Sequence, residues 1–249
     1  MNKKLSDKSR FKGLRIAITG ANGSLGKALI EVLKRKGAYV VGLTHERKKN
    51  SDCSQSNPDE WILWSCGKEE LLSSSLANID ILIINHGFNP RGMIDSNKIN
   101  KAIEINSLSH WRLIEIFEDL VLSNNLNNSN CKEVWVNTSE AEIQIALSPI
   151  YEITKRLIGE LVSLKKSKLL MEKRNNFIIK KLILGPFKSQ LNPQGIMKPE
   201  FVAKKIIKKA EKEDYLIIVS PNPVTFLIMP IIESIRILYS RLIYKFYSD

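Results

Sequence analysis

Cysteine is scarce in this chain. Cys53, Cys66 and Cys131 are odd in number, far apart, and form no Cys-x-x-Cys pair. Neither a disulfide framework nor a zinc site follows from that spacing; no metal is expected, and a reducing, intracellular setting fits. The first residues lack an apolar core: Met1 to Lys12 is polar and basic, unlike a secretory signal, and reads as an arm. The apolar stretch Val224 to Ile232 falls short of the roughly 20 residues a membrane span needs. Acidic residues are in deficit, 26 against 38 Lys and Arg, giving a net charge of +12. That balance suits anionic partners such as nucleotide phosphates or acidic lipid. The basic residues are spread over several helices rather than gathered in one stripe, so nucleic acid is not expected. No internal repeat or linker divides the chain.

What the chain does have is a glycine turn between a strand and a helix. Ile16 to Ile18 is a short apolar run that breaks into Thr19-Gly20-Ala21-Asn22-Gly23-Ser24-Leu25-Gly26, and a helical pattern (Leu25, Leu29, Val32, Leu33) begins at once. Glycines there permit a tight turn and a close approach of backbone to a pyrophosphate, while the helix N-terminus offers free N–H groups. The spacing is Gly-x-x-Gly-x-x-Gly, one residue off the common dinucleotide fingerprint.

Strand and helix then alternate. The first helix runs to about Lys36 and Gly37 ends it; Ala38 to Leu43 is a strand, Thr44 to Asp59 a polar loop, and Trp61 to Trp64 a third strand. A short helix over Lys68 to Leu76 precedes an apolar strand, Asp80 to Asn85. A long amphipathic helix over Asn97 to Leu122 follows, then an Asn-rich loop, Ser123 to Asn130. Glu133 to Asn137, Phe177 to Leu184 and Tyr215 to Val219 are the remaining strands, separated by helices over Pro149 to Lys173 and Pro199 to Lys212. The expected fold is α/β: a single doubly wound, Rossmann-type domain with a parallel sheet of about seven strands and helices on both faces. Its bounds are read as 13–222, after an arm over 1–12 and before an apolar, amphipathic extension over 223–249. That extension sets Glu233, Arg236, Arg241 and Lys245 among Ile, Leu, Tyr and Phe. It is expected to pack on its own domain, join subunits, or lie on a membrane through residues 223–247.

Four polar residues fall where such an architecture gathers ligands, near the carboxyl ends of the strands. Tyr151 and Lys155 are i and i+4 and share a helix face. Ser139 follows the fifth strand twelve residues before Tyr151, close enough for one loop to bring its hydroxyl to the phenol. Asn106 lies mid-helix, where asparagine is poorly suited, so a role other than packing is expected.

With these residues in place the chain, from about residue 13 to residue 220, resembles the short-chain dehydrogenases/reductases. Thr19-Gly20…Gly23…Gly26 stands at that family's cofactor loop, Asn85-His86-Gly87 at its Asn-Ala-Gly, and Gly185-Pro-Phe-Lys-Ser189 at the segment that holds the nicotinamide. Asn106, Ser139, Tyr151 and Lys155 match its catalytic tetrad in order and spacing. The resemblance implies a carbonyl/alcohol oxidoreductase in which Tyr151 is the general acid/base, Ser139 holds the substrate oxygen, and Asn106 anchors a water leading to Lys155. For Tyr151 to work near neutral pH its pKa must fall by roughly three units from about 10, with Lys155 supplying much of that while binding the nicotinamide ribose. Gly20, Asn22, Gly23, Ser24, Leu25 and Gly26 are implied at the cofactor phosphates. Thr44 and Arg47 are implied at the adenosine ribose, Asn85, His86 and Gly87 among the cofactor-binding residues, and Tyr151, Lys155, Gly185 and Ser189 at the nicotinamide end.

At the end of the second strand Thr44 stands where a carboxylate would select NAD, and Arg47 and Lys48 follow, so NADP(H) is expected over NAD(H); Glu46 keeps the second open. His86 replaces a small residue and is expected to make a loop contact. The glycine spacing is that of the branch acting on nucleotide sugars. A nucleotide-sugar epimerase or dehydratase, and a non-enzymatic nucleotide-binding scaffold, therefore stand as alternatives. The expected partners are a small carbonyl/alcohol substrate and a second copy, as dimer or tetramer through the helices around Asn106 and Tyr151. The expected location is cytoplasmic, with membrane contact open.

Overall fold

The computed structural model describes residues 9–46, 56–91, 95–123, 131–212 and 215–248. Its centre is a 7-stranded parallel sheet in the order β3-β2-β1-β4-β5-β6-β7. The strands are β1 (Arg15–Thr19), β2 (Tyr39–Thr44), β3 (Glu60–Leu63), β4 (Ile81–Ile84), β5 (Lys132–Ser139), β6 (Phe177–Leu184) and β7 (Leu216–Val219). Strands covered on both faces read as continuous apolar runs, as Ile81-Leu-Ile-Ile84 does, because neither set of alternating side chains meets water. Ile16, Ile18, Val40, Ile81, Ile83 and Trp135 point to one face, under α1 (Ser24–Arg35) and α6 (Pro199–Ala210). Ala17, Val41, Leu82, Ile84, Val134 and Val136 point to the other, under α4 (Ser109–Ser123) and α5 (Pro149–Met171). The expected doubly wound architecture is the one found.

α1 ends as expected. Gly37 adopts φ +83°, its N–H bonds the carbonyl of Lys34, and the N–H of Ala38 bonds that of Leu33, a left-handed cap for which glycine carries no Cβ penalty. Phe11, read as part of the arm, is instead buried edge-on to Trp135, so the packed domain begins before residue 13.

The helix expected over Asn97 to Leu122 is not uniform. α3 (Ser96–Ile103), capped by the Asp95 carboxylate on Lys98 N at 2.9 Å, passes through a π-turn over Glu104–Leu108 into α4. Between β3 and β4 lie a 3-10 turn and the single-turn α2 (Ser73–Leu76). β5 runs two residues beyond its expected end, so Ser139 is its last residue rather than part of the loop after it. The chain closes with α7 (Pro223–Ser248), packed on α5. Among the described residues no helix is long and apolar enough to cross a membrane.

The strand order places the reversal between β1 and β4. From β1 the chain winds out to β2 and β3, then returns to β4 and winds the other way. The crevice at the carboxyl ends of β1 and β4 is where open sheets of this kind take ligands.

Candidate active site

β1 ends at Thr19 and the chain turns on Gly20, at φ +62°. A side chain there would bring its Cβ within 2.9 Å of His86 Cα, so this turn and the loop after β4 are in backbone contact. Gly26 is tighter: a Cβ would come within 2.4 Å of the Gly20 carbonyl oxygen and 2.8 Å of Ala21 Cα. Gly23 donates to the Gly20 carbonyl at 3.0 Å and is the N-cap of α1, with no side chain capping it and no acid in the first turn. Ser24 and Leu25 open the helix, Leu25 facing the core. The first N–H groups of α1 are thus left to an anion, a fit to a dinucleotide pyrophosphate. Replacing Gly26 by Ala is expected to cost about 1–3 kcal/mol of stability, measured by urea unfolding, because the obstructing atoms are backbone.

Thr44, the last residue of β2, is buried and accepts from Asn22 Nδ2 at 2.8 Å and from Glu46 N at 3.2 Å. No carboxylate occupies this position: the Glu46 side chain is exposed beside His45. Arg47 lies outside the described residues.

The loop after β4 is bound to β1 through one hydroxyl. Thr19 Oγ1 accepts the N–H groups of Asn85 (2.8 Å) and His86 (3.2 Å), leaving its own proton for His86 Nδ1 at 2.8 Å. The His86 ring lies edge-on to Trp64 and His110, and burial pulls its pKa down to about 3, so it is neutral. Its ring is committed to the loop's own packing, the contact expected of it. His110 Nε2 reaches the His86 carbonyl at 3.0 Å and is likewise held neutral by burial. Asn85 donates weakly to Gly20 O at 3.4 Å and accepts from Asn137 at 3.0 Å, tying β4 to β5.

Asn106 sits in the π-turn, fully buried. Its Oδ1 accepts Phe88 N at 2.7 Å, and its Nδ2 donates to Phe88 O at 2.8 Å and Thr154 Oγ1 at 3.0 Å. A Cβ on Gly87 would lie 3.3 Å from that Oδ1. Both amide protons are therefore spent bracing the loop after β4 against α5, where the sequence pattern alone offers only a misplaced asparagine. π-turns are rare and recur at functional sites, which accords with its position.

Ser139 closes β5, accepts Ala141 N at 3.1 Å, donates weakly to Leu184 O at 3.4 Å, and stands close enough to the Tyr151 phenol to pull its pKa down slightly. Tyr151 lies in the first turn of α5, which Pro149 opens, and Lys155 follows one turn on. Lys155 is 4% exposed; its ammonium donates to Asn137 O at 3.0 Å and lies 5.6 Å from the Tyr151 ring centroid. One expectation is corrected here. Burial raises the phenol to about 12, and Ser139 only opposes it, rather than Lys155 drawing it toward neutrality. The phenol is wholly enclosed, and the Lys155 ammonium spends a hydrogen bond on the Asn137 carbonyl at 3.0 Å. Burial in turn lowers Lys155 to about 8, against the opposing charge of Glu142. Asn137, whose carbonyl holds Lys155 and whose amide holds Asn85, was not singled out by sequence, although it stands two residues before Ser139 on the same strand.

The segment after β6 is less closely joined to this group. Gly185 donates to Val219 O at 2.9 Å and meets Ser220 and Pro221, while Ser189 turns back on Asn192. Ser189 and Lys188 face Ser24 and Lys27 of α1 across a cavity of about 600 Å³, beside the glycine turn rather than at Tyr151.

A parallel sheet in this order, with a glycine turn after β1 and a Ser–Tyr–Lys group across the switch point, defines a dinucleotide-binding α/β enzyme class. Within it, the chain belongs to the NAD dependent epimerase/dehydratase family, whose model matches residues 16–161, an extended branch of the short-chain dehydrogenases/reductases. It is 40% identical over 243 residues to a monoglucosyldiacylglycerol epimerase of Synechocystis sp., covering 97% of this chain and 57% of that protein. A 3-oxoacyl-acyl-carrier-protein reductase of Rickettsia typhi is 30% identical over 111 residues, 41% of this chain and 46% of its own. The chain thus spans about half the length of the curated relatives it matches. Among solved structures it is similar to a short chain dehydrogenase from Burkholderia cenocepacia in complex with NADP. There the TM-score is 0.71 at 16% identity, over 84% of this chain and 89% of that one. A short-chain dehydrogenase from Sphingobium yanoikuyae in complex with NADPH gives 0.67 at 15% identity, over 82% and 87%. At those identities the likeness is one of fold.

Proposed function

We propose that this chain is an NADP(H)-dependent enzyme that interconverts a secondary alcohol and a ketone at Tyr151, and that the alcohol is a ring hydroxyl of a hexosyl lipid, so that the net reaction is epimerisation. The observation that carries it is the Ser139–Tyr151–Lys155 group across the sheet's switch point from the uncapped glycine turn. The likeness to the Synechocystis epimerase over nearly the whole chain supports the choice of substrate. A bound nicotinamide supplies a hydride acceptor and donor; the residues of this chain manage the oxygen and its proton. Ser139 and Tyr151 hold the reacting oxygen, and Tyr151 exchanges the proton with it. Lys155 places a cation beside the phenol, and Asn106 keeps the loop after β4 fixed against α5. The uncapped N-terminus of α1 and the backbone of Gly20 to Gly26 fit the pyrophosphate.

The test separates redox from epimerisation. With detergent-dispersed monoglucosyl diacylglycerol and catalytic NADP, an epimeric hexosyl lipid of unchanged mass is expected, with no net change in nicotinamide absorbance. Stoichiometric nicotinamide turnover would instead make the chain a net dehydrogenase/reductase, and no reaction in either assay would remove the enzymatic reading. Thr44 and the absence of a buried carboxylate at the end of β2 support NADP(H). NADPH is expected to bind at least about tenfold more tightly than NADH in a fluorescence titration; tighter NADH binding reverses the assignment.

A further inference from the structure

α7 is built the wrong way round for a surface helix of a globular domain, which turns its apolar stripe inward. Its polar side faces the protein. Glu233 accepts from Lys181 Nζ at 2.8 Å, Ser163 Oγ at 2.9 Å and Tyr215 OH at 2.6 Å, while Arg236 pairs with Glu142 at 2.6 Å and Glu160 at 2.7 Å. Thr225 and Met229 complete that buried side. The opposite side carries Leu227, Ile231, Ile235, Leu238, Leu242 and Phe246, all exposed. Spacings of three and four residues align them in one stripe about 28 Å long. Ile235 and Leu238 are 60% and 57% exposed.

We infer that this stripe is a membrane-docking surface that lays α7 in the headgroup region of an anionic bilayer. Charge favours lipid over a second copy of the chain. Within α7 the cations beside the stripe are Arg241 and Lys245, and its one carboxylate among the described residues, Glu233, is buried, so a self-complementary contact finds no acid on this helix. A protein partner takes about one hydrogen bond per 100–200 Å², and the six apolar side chains of the stripe make none. Tyrosines at 239, 244 and 247 and two flanking cations are instead the composition of interfacial helices.

α7 is also joined to the segment that leads to Tyr151. Thr225, in the first turn of α7, accepts from Gln144 at 2.7 Å, and Asn222 donates to the same side chain at 2.8 Å. Ile145 and Leu147, 84% and 92% exposed, follow Gln144 in the segment joining Ser139 to Tyr151. The segment leading to Tyr151 is thus tied to the protein-facing side of α7, and a chain docked through the opposite side would suit a substrate whose hexose stands above the bilayer while its acyl chains stay in it. That substrate rests on the function proposed above; the docking surface rests on α7.

Vesicle flotation of the full chain tests it without turnover. Binding is expected to phosphatidylcholine vesicles containing phosphatidylglycerol, and to be weaker with phosphatidylcholine alone. The double variant Ile235→Glu/Leu238→Glu should lower the bound fraction at least about tenfold, with thermal midpoint and NADPH affinity unchanged because both side chains face outward. Arg241→Gln/Lys245→Gln should reduce binding to the anionic vesicles only. Equal binding of the first variant, or no binding by the unaltered chain, overturns the inference. So does a concentration-dependent dimer, by light scattering, that the same double variant abolishes. A chain that binds vesicles yet leaves the hexosyl lipid unchanged would remove the proposed reaction and keep the surface.

Discussion

Replacing Tyr151 by Phe is expected to lower kcat on the hexosyl lipid by about 10³–10⁴-fold while leaving NADPH affinity within roughly twofold. General acid–base catalysis supplies about 10²–10⁴; the upper part of that range applies because the described residues offer no second phenol or imidazole to take over. His86 and His110 are held neutral by burial, with their rings turned to Thr19, Trp64 and each other. The nucleotide should be indifferent, since the glycine turn and the start of α1 do not involve α5. Isothermal titration with NADPH and single-turnover kinetics separate the two effects. Equal loss of nucleotide affinity would mean that Tyr151 shapes the pocket, and retained turnover would mean that the proton travels by another group. A phenol raised to about 12 stays protonated through the neutral range in the free protein, so the proton donor for ketone reduction is ready before substrate arrives. In the oxidising direction the phenol must first lose that proton, which makes the alcohol-to-ketone step the more pH-sensitive of the two.

Much of this architecture is legible in sequence because burial leaves a compositional trace. Ile16 to Ile18 and Ile81 to Ile84 read as buried strands because both faces are covered. Gly20 and Gly26 read as a turn because backbone passes where a Cβ would sit. Ser139, Tyr151 and Lys155 are legible because one strand end and two turns of one helix fix their relations. Features that depend on distant partners are not. Lys181 lies inside the run Phe177 to Leu184 and is fully buried, a position tenable only because Glu142 and Glu233 come to it from two other elements. The same pairing decides which side of α7 turns inward, and no periodicity in Pro223 to Tyr247 announces that its charged side is the buried one. The π-turn at Asn106 is equally silent, since nothing local distinguishes it from a continuous helix. The raised pKa of Tyr151 is not legible either, because the spacing of Tyr151 and Lys155 says nothing of how deeply the phenol is buried.

Lys155→Met is expected to remove activity and, at neutral pH, to stabilise the fold. The ammonium is almost wholly buried, and burial moves its pKa from 10.5 to about 8. At about 1.36 kcal/mol per unit, holding the charge in the fold costs about 3 kcal/mol. Part of that is returned by the bond to Asn137 O, worth about 1.5–3 kcal/mol for a charged donor, so the variant should gain up to about 1.5 kcal/mol at pH 7. The sign with pH follows from proton binding. Between about 8 and 10.5 the unfolded chain holds this proton and the folded chain has released it, so the wild-type fold is stabilised as pH rises through that window. The variant has no such group, and its advantage should shrink steadily above pH 8. Paired urea denaturation of the two proteins at neutral and alkaline pH reads the difference directly. A variant less stable than wild type at pH 7 would mean that the Asn137 bond and the neighbouring Glu142 outweigh the burial of the charge. The functional counterpart is a fall in kcat as pH passes about 8, where the cation beside Tyr151 is lost. A lysine kept at that expense, where methionine would fit more stably, is retained for its charge.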